Sequence, residues 1–274
     1  MIVQSLGNTN TDEIIDCFLQ AFENYFVEMP TDHDYYKQRW NTSGVRLDLS
    51  YGMFDNDILV GFIINAIDKR KGHLIAYNAG TGVIPEYRGK KMIKSIYEYA
   101  ISELIKKGVS KCVLEVITEN RYAIKSYESI GFKICKQYKC FNGTISTQYN
   151  TDVRLKEVLH QDMNWESIND QELCSWDYHR NSLKNGRYRY FQIFKNNVIE
   201  SYFVIGHDNK SVAQLDVYDN NQTSWSRLFQ GIKTISESIK INNIDDRLNA
   251  KIAAIEYSGL KNNIDQFEME LYLV

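Results

Sequence analysis

The chain has 274 residues, 24% of them charged and 43% hydrophobic, and a formal net charge of −3. That length suits two ordinary domains, and the slightly acidic balance excludes the basic footprint of a nucleic-acid binder. No apolar run nears the roughly 18 residues of a membrane span. The N-terminus MIVQSLGNTN has neither the charged nor the apolar region of a signal peptide. Five scattered cysteines (17, 112, 135, 140, 174) form no CxxC pair and imply reduced thiols, so a cytoplasmic protein without a metal is expected.

Taken in chain order, Ile14, Ile15, Phe18, Leu19 and Phe22 recur at helical spacing behind a Thr11 or Asp12 cap. LDLSYGMFDNDILVGFIINAID then predicts a hairpin turning at Asp55-Asn56-Asp57. HLIAYNAGTGVI continues as a strand. A helix is expected from Gly89 to Lys107, with Met92, Ile93, Ile96, Ala100, Ile101 and Leu104 on one face and Gly108 as its left-handed cap. KCVLEVI predicts a buried strand, NRYAIKSYESIGF a short helix closed by Gly131, and FKICKQYKCF a further strand. This order implies an α/β (α+β) fold with a mixed sheet covered on both faces.

After Gly143 the pattern starts again. RYFQIFKNNVIESYFVIG (189–206) matches LSYGMFDNDILVGFIINA, AQLDV (213–217) matches AGTGV (79–83), and SGLK (258–261) matches IGFK (130–133). The offsets are 194 − 54 = 140, 213 − 79 = 134 and 258 − 130 = 128, a smooth decline that points to one fold repeated. A boundary near 143–155 follows, with domains at 1–145 and 150–274.

GVIPEYRGKKMIKSI (82–96) is not a Walker loop, because Lys90 is followed by Lys91 rather than Ser or Thr. It places a strand end, a turn and a helix N-terminus together, with Arg88, Lys90, Lys91 and Lys94 around it. Free amides and the helix dipole there suit an anion; a solvated basic helix face is the alternative. Glu115 alternates with Leu114 and Val116 and therefore faces the other side of its strand. A buried charge there hints at function; a structural glutamate hydrogen-bonded to neighbouring strands is the alternative. Asn78 and Tyr77 precede the 79–83 strand end and are candidates for lining a substrate.

The run Val83, Pro85, Arg88, Gly89 resembles the acetyl-CoA signature of the GNAT superfamily of N-acetyltransferases. LEVITENRYAIKSYESIGF (114–132) resembles that family's second signature through Asn120, Ala123, Tyr127, Gly131 and Phe132. The resemblance covers about residues 1–145, and the second half resembles a degenerate copy. It implies two GNAT-like domains, each a mixed, mostly antiparallel sheet flanked by helices, with direct acetyl transfer from acetyl-CoA to an amine in the first. Amides around Arg88, Gly89, Lys90, Lys91 and Met92 would then bind pyrophosphate. Thr81 and Val83 would hold the pantetheine arm, Asn120 would steady it, and Tyr127 would be the general acid, with Glu115 a candidate base.

One departure is visible: Lys91 and Ile93 stand where the family pattern has small residues. A CoA- or nucleotide-sensing protein that keeps the fold without catalysis is therefore the competing reading. The acceptor is a small-molecule or peptide amine, no nucleic acid or membrane partner is expected, and a homodimer stays open. The second half has Asp219 and Gln222 opposite Pro85 and Arg88, and it is expected to be structural or substrate-shaping.

Overall fold

The computed structural model describes residues 1–146, 153–168 and 171–273. In chain order it forms β1 (Ile2–Ser5), α1 (Thr11–Ala21), α2 (His33–Ser43), β2 (Tyr51–Asp55), β3 (Ile58–Arg70), β4 (His73–Val83), α3 (Met92–Lys106), β5 (Val109–Ile117), α4 (Arg121–Ile130) and β6 (Lys133–Thr144). It continues through β7 (Arg154–Val158), α5 (Arg180–Leu183), β8 (Tyr188–Lys195), β9 (Val198–Gly206), β10 (Ser211–Val217), α6 (Gln222–Ile235), β11 (Ser238–Asp245), α7 (Asn249–Tyr257) and β12 (Lys261–Tyr272). Two compact units result, Met1–Cys135 with Glu268–Val274, and Lys136–Phe267. Set beside the expected 1–145 and 150–274, this division falls at 135/136, and the C-terminal residues count with the first unit. Part of the expected junction lies outside the described residues.

In the first unit the sheet order is β1-β2-β3-β4-β5, followed by the end of β12. Leu273 donates its backbone N–H to Ser110 at 2.9 Å, and Lys111 pairs with Glu270 at 3.0 Å. β4 and β5 run parallel, and β1 through β4 pair antiparallel. Asn56 and Asp57 take φ of 46° and 67° at the β2–β3 turn, which their short polar side chains tolerate and a two-residue hairpin requires. Asn10 rather than Thr11 or Asp12 caps α1, accepting from the Asp12 N–H at 2.9 Å. Ile14, Ile15 and Phe18 turn inward as the stripe requires.

α2 is not visible in the sequence pattern, because HDYYKQRWNTS has no apolar stripe. Tyr36 and Trp40, four residues apart, are its buried aromatic anchors, with ring centroids 5.0 and 6.1 Å from Phe18. Against β4 the fit is close. A Cβ on Gly80 would lie 2.7 Å from the Phe18 ring, and one on Gly82 would lie 2.6 Å from the Ala21 Cβ. Glycine at 80 and 82 is what lets α1 lie on that strand.

The second unit runs β12 (its first part), β6, β11, β10, β9, β8, β7, with β10 and β11 parallel and the registered neighbours otherwise antiparallel. The sequence repeat is also a repeat of irregularities. The β2–β3 register shifts between Met53 and Phe54, and the β8–β9 register shifts between Ile193 and Phe194. Ala79 is an extra residue in β4 opposite Ile64/Asn65, and Ala213 is the extra residue in β10 opposite Val204/Ile205. Bulges are specific features that interrupt a ladder at one place. Two of them recurring at the same offsets of 140 and 134 residues, as counted above, support one fold used twice.

Candidate functional site

β4 and β5 pair from Leu74/Val109 to Asn78/Leu114, and no pair follows, although β4 continues to Val83 and β5 to Ile117. The two parallel strands part there and leave a cleft whose walls are residues 79–83 and 115–117. Thr81 and Val83 stand on the β4 wall, and Glu115 is the first residue of the β5 wall. Glu115 is half-buried rather than enclosed, so holding its charge there costs less than the apolar run around it suggests.

At the foot of the cleft lies a buried polar cluster. Tyr127 projects from α4, 9% exposed. Burial pushes its hydroxyl up to about 12, and the polar groups of Thr81 and Asn78 nearby oppose that rise. Asn78 donates to the Tyr97 hydroxyl at 2.6 Å and to the Thr81 hydroxyl. Tyr97, from α3, is buried and its hydroxyl is likewise raised by desolvation. The rings of Tyr97, Tyr127 and Phe132 pack edge to face at 5.4 to 6.2 Å.

The turn between β4 and α3 divides the expected anion ligands into two kinds. Arg88 is a brace: its amide donates to Pro85 at 3.2 Å, and its guanidinium donates to the Val83 and Ala21 carbonyls at 3.2 and 3.1 Å. Tyr87 ties the turn to Asp55 at 2.8 Å, and the Lys90 ammonium lies 4.7 Å from the Tyr87 ring centre. Gly89, Lys90 and Lys91 are exposed, and α3 has no side-chain cap. Its first amides are therefore available to an anion.

Gly89 and Lys91 have φ of 79° and 56°. The left-handed backbone at 91 explains why α3 begins at Met92 instead of Gly89. It also shows what a glycine there would do, since a lysine in that conformation is strained by about 1 kcal/mol. Met92 is buried, so only its amide can serve, and Ile93 is half-buried against the helix's inner side.

Asn120 caps α4, its carbonyl oxygen accepting from Ala123 N–H at 3.1 Å while its Nδ2 donates to the Tyr25 hydroxyl at 3.4 Å. Its backbone N–H donates to the Ile117 carbonyl at 2.9 Å, so Asn120 is committed to the turn between β5 and α4. Asn78, expected among substrate-lining residues, is instead interior to the strand and bonded on both ends of its amide. Tyr97 and Tyr25 did not stand out in the sequence. Tyr97 follows Ile96 on the inner face of α3 and reads there as core, and Tyr25 lies in the α1–α2 connection, which has no periodicity.

Residues 13–132 match the acetyltransferase (GNAT) family. N-alpha-acetyltransferase 30 of Schizosaccharomyces pombe is 29% identical over 105 residues, 37% of this chain and 70% of that relative. A GCN5-related N-acetyltransferase from Sphaerobacter thermophilus superposes with a TM-score of 0.70 at 9% identity, over 99% of this chain and 95% of its own. A tandem GNAT protein from the clavulanic acid biosynthesis pathway does so with a TM-score of 0.69 at 10% identity, over 100% and 99%. At those identities the two structures establish the fold.

Proposed function

We propose that this chain, which carries a GNAT acetyltransferase domain over residues 13–132, transfers an acetyl group directly from acetyl-CoA to a primary amine. The observation that carries the proposal is the cleft where β4 and β5 part, with the Tyr127 hydroxyl at its foot and the uncapped N-terminus of α3 beyond it. The pantetheine arm lies along the free edge of β4 by Thr81 and Val83. The pyrophosphate sits on the amides of Gly89, Lys90, Lys91 and Met92, with Lys91 and Lys94 adding charge. Arg88 holds the turn rather than the phosphate.

The amine attacks the thioester carbon, whose oxygen is polarised by strand amides. Glu115 takes a proton from the amine, directly or through water, as the C–N bond forms. The C–S bond then breaks, and Tyr127 gives its proton to the CoA thiolate. The acceptor we favour is the α-amine at a peptide N-terminus, supported by the name and activity class of the Schizosaccharomyces relative.

Calorimetric titration with acetyl-CoA, followed by thiol release against short peptides and free amines, tests the reading. Binding and peptide-dependent thiol release are expected, and Tyr127→Phe should lower kcat by about 10²–10⁴-fold. No binding at millimolar acetyl-CoA would sink the proposal, and binding without release against any amine would favour a CoA sensor.

A further inference from the structure

The transfer scheme uses neither Asn78 nor Tyr97, although both are buried polar residues at the foot of the cleft, 8% and 2% exposed. A buried amide is expensive unless every bond is made, and here the bonds are made in an unusual place. Asn78 Oδ1 accepts from the Gly80 N–H at 2.9 Å. Its Nδ2 donates to Tyr97 at 2.6 Å and to Thr81 Oγ1. Residues 78 and 80 flank Ala79, the extra residue of the β4 bulge. In a regular strand, positions 78 and 81 would face opposite sides. The added residue brings them to the same side, where their side chains bond.

The second unit supplies the control. It keeps the bulge at Ala213 but places Val212, Leu215 and Ile255 where Asn78, Thr81 and Tyr127 stand. The bulge therefore forms without an asparagine, so what Asn78 adds is the link to the two hydroxyls. That link has a chemical use. Burial pushes the Tyr127 hydroxyl to about 12, whereas an alkyl thiol titrates near 8.5, so the phenol is a weaker acid than the thiol it must protonate. The phenolate left behind needs donors already in place.

We propose that Asn78, held by Tyr97, is a positioning residue that fixes Thr81 and the Tyr127 hydroxyl for proton delivery to the departing CoA thiolate. This rests on the acetyl-transfer reading. In the step, the thiolate takes the Tyr127 proton as the C–S bond breaks. The phenolate accepts a hydrogen bond from the Thr81 hydroxyl, which Asn78 holds by donating to its oxygen, and it recovers a proton from solvent before the next turnover.

A double-mutant cycle on the full chain tests this. Asn78→Val should lower kcat for peptide-dependent thiol release about 10–100-fold, with the acetyl-CoA Kd within about threefold of the unmodified chain. In a Tyr127→Phe background the same change should cost less than about threefold, because the residue through which Asn78 acts is gone. Tyr97→Phe should give a smaller loss of the same kind. Equal losses in both backgrounds, or a loss carried by Kd, would overturn the proposal. Should the unmodified chain release no thiol with any amine, the transfer reading fails separately. The ¹³Cζ resonance of Tyr127 then decides the positioning: it moves in Asn78→Val if Asn78 holds the hydroxyl, and an unmoved resonance overturns the claim.

Discussion

In both units a pair of parallel strands parts at its C-terminal end, after Asn78/Leu114 in the first and after Val212/Ile241 in the second. The first cleft keeps hydroxyls and a carboxylate: Thr81, Glu115 and Tyr127. The second has Leu215, Asn242 and Ile255 at those places and Leu248 where Asn120 caps α4. α3 starts uncapped, whereas Asn221 caps α6 by accepting from Ser224 N–H at 3.0 Å. Gly80, against which α1 packs, becomes Gln214, 5% exposed.

The second cleft is also occupied by the chain itself. Gln214 Nε2 donates to the Tyr178 carbonyl at 2.5 Å and to Gln171 Oε1 at 3.3 Å, and its oxygen accepts from the Tyr202 hydroxyl at 3.3 Å. Asn242 reaches the Tyr178 hydroxyl at 3.5 Å. Segment 171–178 thus covers the place where an arm would enter, leaving a cavity lined by Cys174, Ala213, Asp245 and Lys251 among others. The first cleft thus offers exposed amides and buried hydroxyls, whereas the second has a capped helix and apolar replacements at the matching places.

The largest expected effect comes from converting the first cleft into the second. Asn78→Val, Thr81→Leu and Tyr127→Ile together should abolish turnover by about 10³-fold or more. Acetyl-CoA should still bind, because the α3 amides are untouched. Retained turnover would mean the cluster is core rather than chemistry.

The opposite experiment weakens the plug. Gln214→Leu removes the donor to the Tyr178 carbonyl and the acceptor for the Tyr202 hydroxyl, and it should cost about 1–3 kcal/mol in the second unit. Urea unfolding followed by fluorescence reads it, since Trp165, Trp176 and Trp225 lie in that unit and Trp40 in the other. Turnover should be unchanged. A fall in turnover equal to the Tyr127 effect would show that the second cleft takes part in chemistry.

The two clefts were not equally legible in the sequence. Pro85, Arg88, Gly89 and the Asn120–Gly131 run punctuate the first so sharply that its turn and both helices can be placed from residue types alone. The bulge at Ala79 cannot, because alternation counts residues and a bulge adds one. Asn78 therefore read as a lining residue when it is an internal tie. α2 was lost because two aromatics carry it. QELCSWDY (171–178) reads as an ordinary loop, since nothing local says that it will meet Gln214. The allocation of residues 268–274 to the first unit was hidden for the same reason: an alternating strand such as FEMELY names a face but not a neighbour.

A smaller effect concerns the turn that only the first unit has. Lys91→Gly relieves left-handed strain at the start of α3 but frees the unfolded chain. A net gain of up to about 1 kcal/mol in the first unit is expected. If Lys91 helps hold phosphate, acetyl-CoA affinity should fall about 2–5-fold at low salt and the difference should shrink as salt rises. Tighter binding by the variant would show instead that the lysine obstructs the cradle.

The smallest effect lies in the helical arm that covers β4. His33 of α2 contacts Asp12 at 2.9 Å and Asp16 at 3.2 Å on α1, with Lys37 also on Asp12 at 2.7 Å. The hydrogen bond to Asp12 and the nearby Asp16 charge raise the imidazole above its ordinary value, against partial opposition from desolvation and Lys37. A raised folded-state pKa stabilises the fold fully below the unfolded value near 6.5. The contribution is lost as pH rises through the folded-state value. The α1–α2 pairing should therefore loosen slightly between mildly acidic and mildly alkaline pH, and His33→Gln should flatten that slope. The pair is exposed and screened, so the change is small. Amide exchange in α2 measured at two pH values, after correction for the intrinsic rate, reads it where global unfolding would not. An unchanged slope in His33→Gln would assign the pH dependence to another group, and the second unit, whose cover lacks this cluster, should show no such slope in either protein.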